Sequence, residues 1–193
     1  LTLLLFSPTT LQALILAWTV TGDQAAAEYG YDVAIGDFNG DGSADLLVGA
    51  PRYETEQYKG GAAFVYHGYG GGISDQPDWT GGSDIKGARY GFAVAAAGDV
   101  NNDGYDDALV GAYRYNEEQS EEGRVYLYLG SSQGLHAAPD WMFEGGQREA
   151  QLGYAVASAG DVNKDGFDDV LIGARWYDGD LNGEGAAFLF FGS

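Results

Sequence analysis

The stretch DFNGDGSAD at residues 37–45 decides the fold, because it returns as DVNNDGYDD at residues 99–107 and as DVNKDGFDD at residues 161–169. Each copy begins 62 residues after the one before it. All three carry oxygen-bearing side chains at positions 1, 3, 5 and 9 and a glycine at position 6. A period of this length is typical of proteins built from repeated structural units. We call these stretches the first, second and third acidic loops.

The spacing of the oxygen atoms predicts a calcium ion in each acidic loop, three in all. Alternate residues of a tight loop can point inward around one hard cation, and glycine permits the sharp turn. Residue 7 would add its backbone carbonyl, which leaves its side chain free to vary. The predicted ligands are Asp37, Asn39, Asp41, Ser43 and Asp45 in the first loop, Asp99, Asn101, Asp103, Tyr105 and Asp107 in the second, and Asp161, Asn163, Asp165, Phe167 and Asp169 in the third.

A turn without metal is the alternative interpretation of the same residues, since Asp, Asn and Gly are also the commonest turn residues. A turn needs only one or two of them, whereas all four oxygen positions recur in three copies. Three Asp side chains on one short loop would also repel one another without a counter-ion. Both features favour calcium.

A short apolar run follows each acidic loop and predicts a buried β-strand. The runs are LLVGA at residues 46–50, ALVGA at 108–112 and VLIGA at 170–174. Their length and their Val, Ile and Leu content favour strand over helix. An EF-hand or dockerin-like loop would carry an acidic ligand at position 12 and run into a helix, whereas that position here is apolar.

Further strands complete a repeating unit around each acidic loop. A third strand is predicted at residues 61–66, 123–128 and 185–190, and an outer segment with Trp18, Trp79 or Trp141 leads into the next unit. Four strands in about 62 residues is the measure of a β-propeller blade. We therefore predict an all-β fold with about three blades of four antiparallel strands. The chain is interpreted as one domain, residues 1–193, with units at approximately 19–79, 80–141 and 142–193 and with 1–18 as the end of a preceding unit.

These units resemble the FG-GAP repeat of the integrin α-chain β-propeller and of many secreted bacterial proteins. The Phe-Gly pair that opens the family's repeat is Tyr29-Gly30, Tyr90-Gly91 and Leu152-Gly153 here, and Gly-Ala-Pro is intact only at residues 49–51. The acidic loops match position by position. The resemblance implies a propeller with calcium in hairpin loops between strands and a secreted or extracellular location. It does not carry over a ligand, because one fold hosts many functions.

Composition excludes several function classes. With 29 acidic against 9 basic side chains, the net charge of −20 disfavours nucleic acid and anionic membrane as partners. The absence of cysteine excludes disulfides and thiol chemistry. The two histidines, His67 and His136, follow third strands and lie near no repeated nucleophile or acid pair, so they are interpreted as surface or loop residues. We predict no enzymatic activity.

The N-terminal residues allow two interpretations. Residues 1–6 and 14–18 are apolar and could be a signal-peptide remnant with a cleavage region at residues 25–27, but basic residues are absent and residues 7–10 interrupt the segment. The repeat register instead aligns residues 1–6 with the third strand of a unit, which we favour. No segment is long enough to span a bilayer.

The number of blades bears on function, because closed propellers typically need four to eight. About three blades leave open flanks, so we predict self-association head to tail into an oligomer or filament, with residues 1–6 added as a strand to a neighbouring chain. The leading hypothesis is a calcium-binding extracellular interaction or assembly module. The alternative is a lectin-like or targeting propeller fragment of a larger secreted protein or enzyme, for which carbohydrate is a possible ligand. The loops at residues 53–58, 113–118 and 176–180 are the expected partner surface.

Overall fold

The computed structural model describes residues 16–193, which form thirteen β-strands and no helix. The all-β prediction is therefore confirmed. The predictions for residues 1–6, as a blade strand or as part of a signal peptide, lie outside the described residues.

The first blade is a sheet of four antiparallel strands in the order β1-β2-β3-β6. A two-stranded hairpin, β4 with β5, lies between β3 and β6 along the chain. The strands are β1 (Val33–Gly36), β2 (Asp45–Ala50), β3 (Ala62–Tyr66), β4 (Gly68–Tyr69), β5 (Gly72–Ile73) and β6 (Trp79–Gly82). The predicted second and third strands and the Trp79 segment are thus all strands of one sheet.

The second blade repeats this arrangement, again with four strands in chain order across the sheet. They are β7 (Tyr90–Gly98), β8 (Asp107–Ala112), β9 (Arg124–Tyr128) and β10 (Trp141–Glu144). The innermost strand β7 is longer than β1 and has register shifts at both ends of its pairing with β8. One extra residue in a strand produces such a bulge and increases its twist.

The third blade has three strands among the described residues, β11 (Leu152–Gly160), β12 (Asp169–Ala174) and β13 (Ala186–Phe190). Strand β11 shows the same two register shifts as β7. The prediction of four strands per blade is confirmed for the first two blades. Among the described residues, β13 is the outermost strand of the third sheet.

The blades pack face to face, and the central strand of a blade contributes to both of its faces. Leu47 of β2 and Val110 of β8 are buried in the core between the first and second blades. Leu109 of β8 and Ile172 of β12 are buried in the core between the second and third. A strand covered on both faces needs a continuous apolar run, which is why these strands are the clearest ones in the sequence.

Each outer-strand tryptophan packs on the third strand of the following blade. The ring of Trp79 lies 4.9 Å from that of Tyr128, and the ring of Trp141 lies 5.0 Å from that of Phe190. Trp18 makes the same contact with Tyr66 of the first blade, at 5.3 Å between ring centroids. Trp18 therefore occupies the place of an outer-strand residue that precedes the first blade.

Two glycines let neighbouring blades approach backbone to backbone. A Cβ at Gly49 would lie 2.1 Å from the carbonyl oxygen of Gly91, and a Cβ at Gly111 would lie 2.2 Å from that of Gly153. Gly173 has the same position in the third blade, where the nearest atom to an added Cβ is the Cβ of Ala155 at 3.5 Å. An alanine fits at Gly173 and clashes at the other two.

We predict that Gly49→Ala and Gly111→Ala each lower the free energy of unfolding by about 1–3 kcal/mol, since the added methyl forces two sheets apart. Gly173→Ala, the matched control, should change it by less than about 0.5 kcal/mol. Urea denaturation followed by tryptophan fluorescence measures all three. A loss at Gly173 as large as at Gly49 would contradict this blade packing.

Candidate metal-binding loops

The three acidic loops lie at one end of the three blades. Each connects the innermost strand to the second strand, so residues 37–45 join β1 to β2, residues 99–107 join β7 to β8, and residues 161–169 join β11 to β12. Because the blades stack in the same orientation, the loops lie side by side. The fold therefore brings the fifteen predicted ligands to one edge of the molecule, as three separate sets.

Each loop is held by bonds between its own side chains and backbone. In the first loop the carboxylate of Asp37 accepts the N–H groups of Asp41 at 3.1 Å and Gly42 at 2.9 Å. The side-chain oxygen of Asn39 accepts the same Asp41 N–H at 3.0 Å, and Asp41 accepts from Ser43 at 2.7 Å. The second and third loops repeat all four bonds. Two of the four are Asx-turn bonds, so the bonds expected of a turn without metal are present.

The position-9 carboxylates, Asp45, Asp107 and Asp169, are fully buried. Asp107 accepts one hydrogen bond from the N–H of Val100 at the start of its loop and one from the N–H of Gly130 after β9, both at 2.8 Å. The same two bonds recur at the other position-9 residues. One carboxylate thus joins the loop, the second strand and the exit of the third strand.

Burial makes two of the position-9 carboxylates, Asp107 and Asp45, hard to ionise. The pKa of Asp107 is raised to about 7, chiefly by burial and also by the charges of Asp103 and Asp99, while hydrogen bonds from the N–H groups of Gly130 and Val100 act to lower it. Burial likewise raises the pKa of Asp45. Within residues 16–193 no Lys or Arg forms an ion pair with any acidic-loop carboxylate. The loop carboxylates instead accept hydrogen bonds from backbone N–H groups and, in the second and third loops, from the side-chain amides of Asn101 and Asn163.

The chemistry of the donors fits calcium, because carboxylate, amide and carbonyl oxygens are the ligands that this ion prefers. Their arrangement is less complete. Among the described residues, no group of three or more His, Cys, Asp or Glu side chains is gathered closely enough to hold a metal ion. Each predicted donor set also includes an Asn side chain and a backbone carbonyl, and the calcium sites stay a prediction.

Position 8 has a role that the sequence did not indicate. The carboxylate of Asp106 accepts the N–H of Asp37 in the preceding loop at 2.8 Å, and the N–H of Asp106 donates to the carbonyl oxygen of Asp37 at 3.1 Å. Asp168 binds Asp99 in the same two ways, at 3.1 Å and 3.0 Å. The only signal in the sequence was the Asp at position 8 of two loops. The predicted ligands are at positions 1, 3, 5, 7 and 9, so that pattern does not include position 8.

Position 7 also contacts the neighbouring loop. A Cβ at Gly40 would lie 2.6 Å from the ring of Tyr105, so the tyrosine ring covers the preceding loop. Its side chain was expected to be free to vary.

An aromatic cluster marks the opposite end of the blades. Phe92 lies at the centre, with its ring 4.7 Å from that of Tyr31, 4.3 Å from Tyr113 and 5.0 Å from Tyr154. Tyr31, Phe92 and Tyr154 lie near the start of the first strand of their blades. Tyr113 lies just after the second strand of its blade, where the predicted partner loop begins. Tyr31 is 51% exposed, so the cluster reaches the surface.

The histidines are at the loop end and away from this cluster. His136 is exposed, and its Nδ1 lies 2.9 Å from a carboxylate oxygen of Asp140, four residues away. His67 is more enclosed than expected, with 19% of its side chain exposed.

Within residues 16–193, no helix is long and apolar enough to cross a membrane.

The sequence matches the FG-GAP repeat family over residues 29–66, 90–128 and 152–190. These segments are the first three strands of each blade together with its acidic loop. The resemblance stated from the residues is therefore confirmed.

Several integrin alpha chains are similar to most of the sequence. Integrin alpha-6 of Gallus gallus is 34% identical over 170 residues, which are 84% of this chain and 15% of the relative. Integrin alpha-V of Gallus gallus is 35% identical over 167 residues, 81% of this chain and 16% of the relative. Integrin alpha-7 of Homo sapiens is 33% identical over 165 residues, 80% of this chain and 13% of the relative. The chain thus spans a small part of the length of these relatives.

We predict that, in the presence of a chelator, Asp107→Ala lowers the free energy of unfolding by about 2 kcal/mol, because two buried N–H groups lose their acceptor. Asp103→Ala should cost less than about 1 kcal/mol under the same conditions, since Asp103 is exposed. Urea denaturation in EDTA measures both. Equal losses would mean that the buried carboxylate is not what joins the strands.

Proposed function

This chain belongs to the FG-GAP repeat family, and we propose that it is a calcium-binding extracellular interaction module without catalytic activity, with one calcium ion in each acidic loop. The observation that carries the proposal is the repetition of one donor set in three loops with the same hydrogen bonds. Each loop also ends on a buried carboxylate that no basic side chain neutralises.

The ligands in each loop would be the side chains at positions 1, 3, 5 and 9 and the carbonyl of residue 7. Calcium would supply the positive charge that the loops lack, which favours the ionised form of the buried Asp107. The hydrogen bonds to Asp99 and Asp107 leave lone pairs on these carboxylates, because an ionised carboxylate has about four acceptor sites. The backbone bonds then serve to orient the carboxylates before the ion arrives.

We predict that calcium raises the thermal midpoint of the protein by about 15–30 °C at 10 mM, relative to EDTA, if the three sites have dissociation constants near 10⁻⁴ M and each therefore adds about 2.7 kcal/mol. Asp103→Ala should remove part of this increase, whereas Glu118→Ala should not, because Glu118 is an exposed acid outside the acidic loops. Differential scanning calorimetry in calcium and in EDTA measures both variants.

A midpoint that is the same in calcium and in EDTA, with no calcium found in the native protein by elemental analysis, would refute calcium binding. Equal losses from Asp103→Ala and Glu118→Ala in calcium would refute the ligand assignment. Magnesium at 10 mM is the control for general screening of the net charge, since it prefers a smaller and more rigid octahedral site.

An extracellular location is supported by the similarity to integrin alpha chains. It also agrees with the chemistry of the loops, because extracellular calcium is abundant enough to fill weak sites. The surface that we propose for a protein partner is the end of the blades opposite the acidic loops. There the exposed Tyr31 and Trp176 provide the large rigid side chains that protein interfaces favour.

Self-assembly is a second candidate function, favoured by the open face of the third blade. Leu171 and Leu189 are 41% and 45% exposed there. The corresponding residues of the other blades, Leu47 with Val65 and Leu109 with Leu127, face the next blade, and Leu47, Val65 and Leu109 are fully buried. We propose that the first blade of a second copy covers this face.

The contact of Trp18 supports a second copy as the occupant. Trp18 packs on Tyr66 of the first blade as Trp79 packs on Tyr128 of the second, and Trp79 lies on the outer strand of the blade before. Among the described residues the third sheet has three strands, and β13 is the outermost. In the proposed assembly the Trp18 segment of a second copy pairs with β13 and continues the stack.

We predict that Leu171→Glu shifts the protein from an oligomer toward a single chain at micromolar concentration, because a buried carboxylate at the interface is costly. Leu181→Glu is the matched control, since Leu181 is 69% exposed in a loop outside this face and the change should leave the native mass unaltered. Light scattering coupled to size exclusion measures the mass. A single-chain mass for the unsubstituted protein would refute self-assembly and favour a lectin-like or targeting propeller fragment.

A further inference from the structure

The three acidic loops are connected to one another through position 8. Asp106 of the second loop holds both backbone groups of Asp37, the first residue of the first loop, through its carboxylate and its own N–H. Asp37 is also the predicted position-1 ligand, whose carboxylate orients Asp41 and Gly42. The residue that starts one calcium loop is thus held by the neighbouring loop.

The same connection joins the second loop to the third. Asp168 holds both backbone groups of Asp99. A Cβ at Gly98, directly before Asp99, would lie 2.0 Å from the Asp168 carboxylate, so this glycine makes room for the contact. The exits of the third strands add one bond each, from Ser131 to the carbonyl of Phe38 and from Ser193 to that of Val100.

The connection has a direction, because each loop is held only by the loop that follows it. Position 8 of the first loop is Ala44, which has no side-chain acceptor. Within residues 16–193, the third loop has no following loop to hold Asp161. Among the described residues, position 1 is therefore held by a following loop in the first and second loops.

We propose that Asp106 and Asp168 are positioning residues that couple calcium binding in adjacent loops, each through its bonds to position 1 of the loop of the preceding blade. The inference rests on the proposed calcium sites. Position 8 lies between the predicted ligands at positions 7 and 9, so an ion in the second loop fixes the backbone on both sides of Asp106. Asp106 then holds Asp37 in place, which lowers the entropy that the first loop loses when it binds.

Coupling of this kind is reciprocal in binding free energy, so an ion in the first loop must favour binding in the second by the same factor. A network of two hydrogen bonds to one ligand residue, one of them made by a carboxylate, is sufficient for a change of about tenfold in affinity.

The position-6 glycines provide one reporter for each loop. The N–H groups of Gly42, Gly104 and Gly166 donate to the position-1 carboxylates at 2.9, 2.8 and 3.0 Å. Their amide resonances in ¹H–¹⁵N spectra of the full chain therefore follow the three loops separately during a titration with calcium chloride.

We expect Asp106→Ala to raise the calcium midpoints of Gly42 and Gly104 by factors whose product is about ten, about threefold each if the two loops bind equally tightly, because a reciprocal coupling is lost from both sites. The midpoint of Gly166 should change less than twofold. Asp168→Ala should raise the midpoints of Gly104 and Gly166 in the same way and leave that of Gly42 within about twofold of its original value. The proposal is overturned if Asp106→Ala shifts neither Gly42 nor Gly104, or if it shifts Gly166 as much as the other two, which would mean general damage to the protein.

Two further variants separate coupling from simple charge or stability effects. Asp106→Asn keeps an acceptor for the Asp37 N–H, so the Gly42 and Gly104 midpoints should stay close to their original values, whereas a rise as large as with alanine would assign the effect to charge and overturn coupling through this bond. Asp103→Ala, which removes a predicted ligand of the second loop, should raise the Gly42 midpoint in the original chain but not in the Asp106→Ala background. An additive result in the double variant overturns the coupling.

Failure of the calcium sites has a different signature. If none of the three glycine amides of the unsubstituted chain moves with calcium, the proposed function itself is wrong and the coupling falls with it. If all three move and the variants leave their midpoints unchanged, calcium binding stands and only the coupling is wrong.

Discussion

The buried carboxylate at position 9 of each acidic loop is the interaction on which each blade depends. Asp45 stands at the first residue of β2 and accepts N–H groups from Phe38, just after β1, and from Gly68, just after β3. One side chain thereby fixes the start of β2 relative to the ends of β1 and β3. A carboxylate can do this only at the cost of its own desolvation, which is visible in the raised pKa of Asp45 and Asp107. Blade architecture and the proposed function meet at this residue, since a calcium ion would offset the cost.

The contacts between blades extend from the centre of the stack to its outer edge. Near the axis, Gly49 and Gly111 bring the backbones of adjacent sheets together. Further out, apolar residues of the central strands fill the space between the sheets, and at the outer edge a tryptophan reaches the next blade. At the loop end, Asp106 and Asp168 add polar bonds between blades. Because every layer of contact joins only neighbours, the stability of the stack is set by repeat and interface contributions, as in other repeat proteins.

Much of the fold could be predicted from the sequence, because the features that determine it are local or periodic. The apolar runs at residues 46–50, 108–112 and 170–174 belong to the central strands, since a strand covered on both faces needs a nearly continuous apolar run; the one polar residue of each strand is the Asp at its first position. The outer tryptophans could be placed on strands by their period. The bulges of β7 and β11 could not be predicted, because the extra residues at the two ends of these strands leave no distinct sequence pattern.

The candidate site was predictable in its ligand chemistry and not in its connections. Oxygen-bearing residues at fixed spacing indicate a cation or a turn, and the loops contain the hydrogen bonds of the turn while their donors suit the cation. The bonds from Asp106 to Asp37 cross between blades, over 69 residues of sequence. The first loop has Ala44 at the same position, so position 8 does not repeat in all three loops as the other loop positions do. A contact between units must be read from three-dimensional structure when only some units make it.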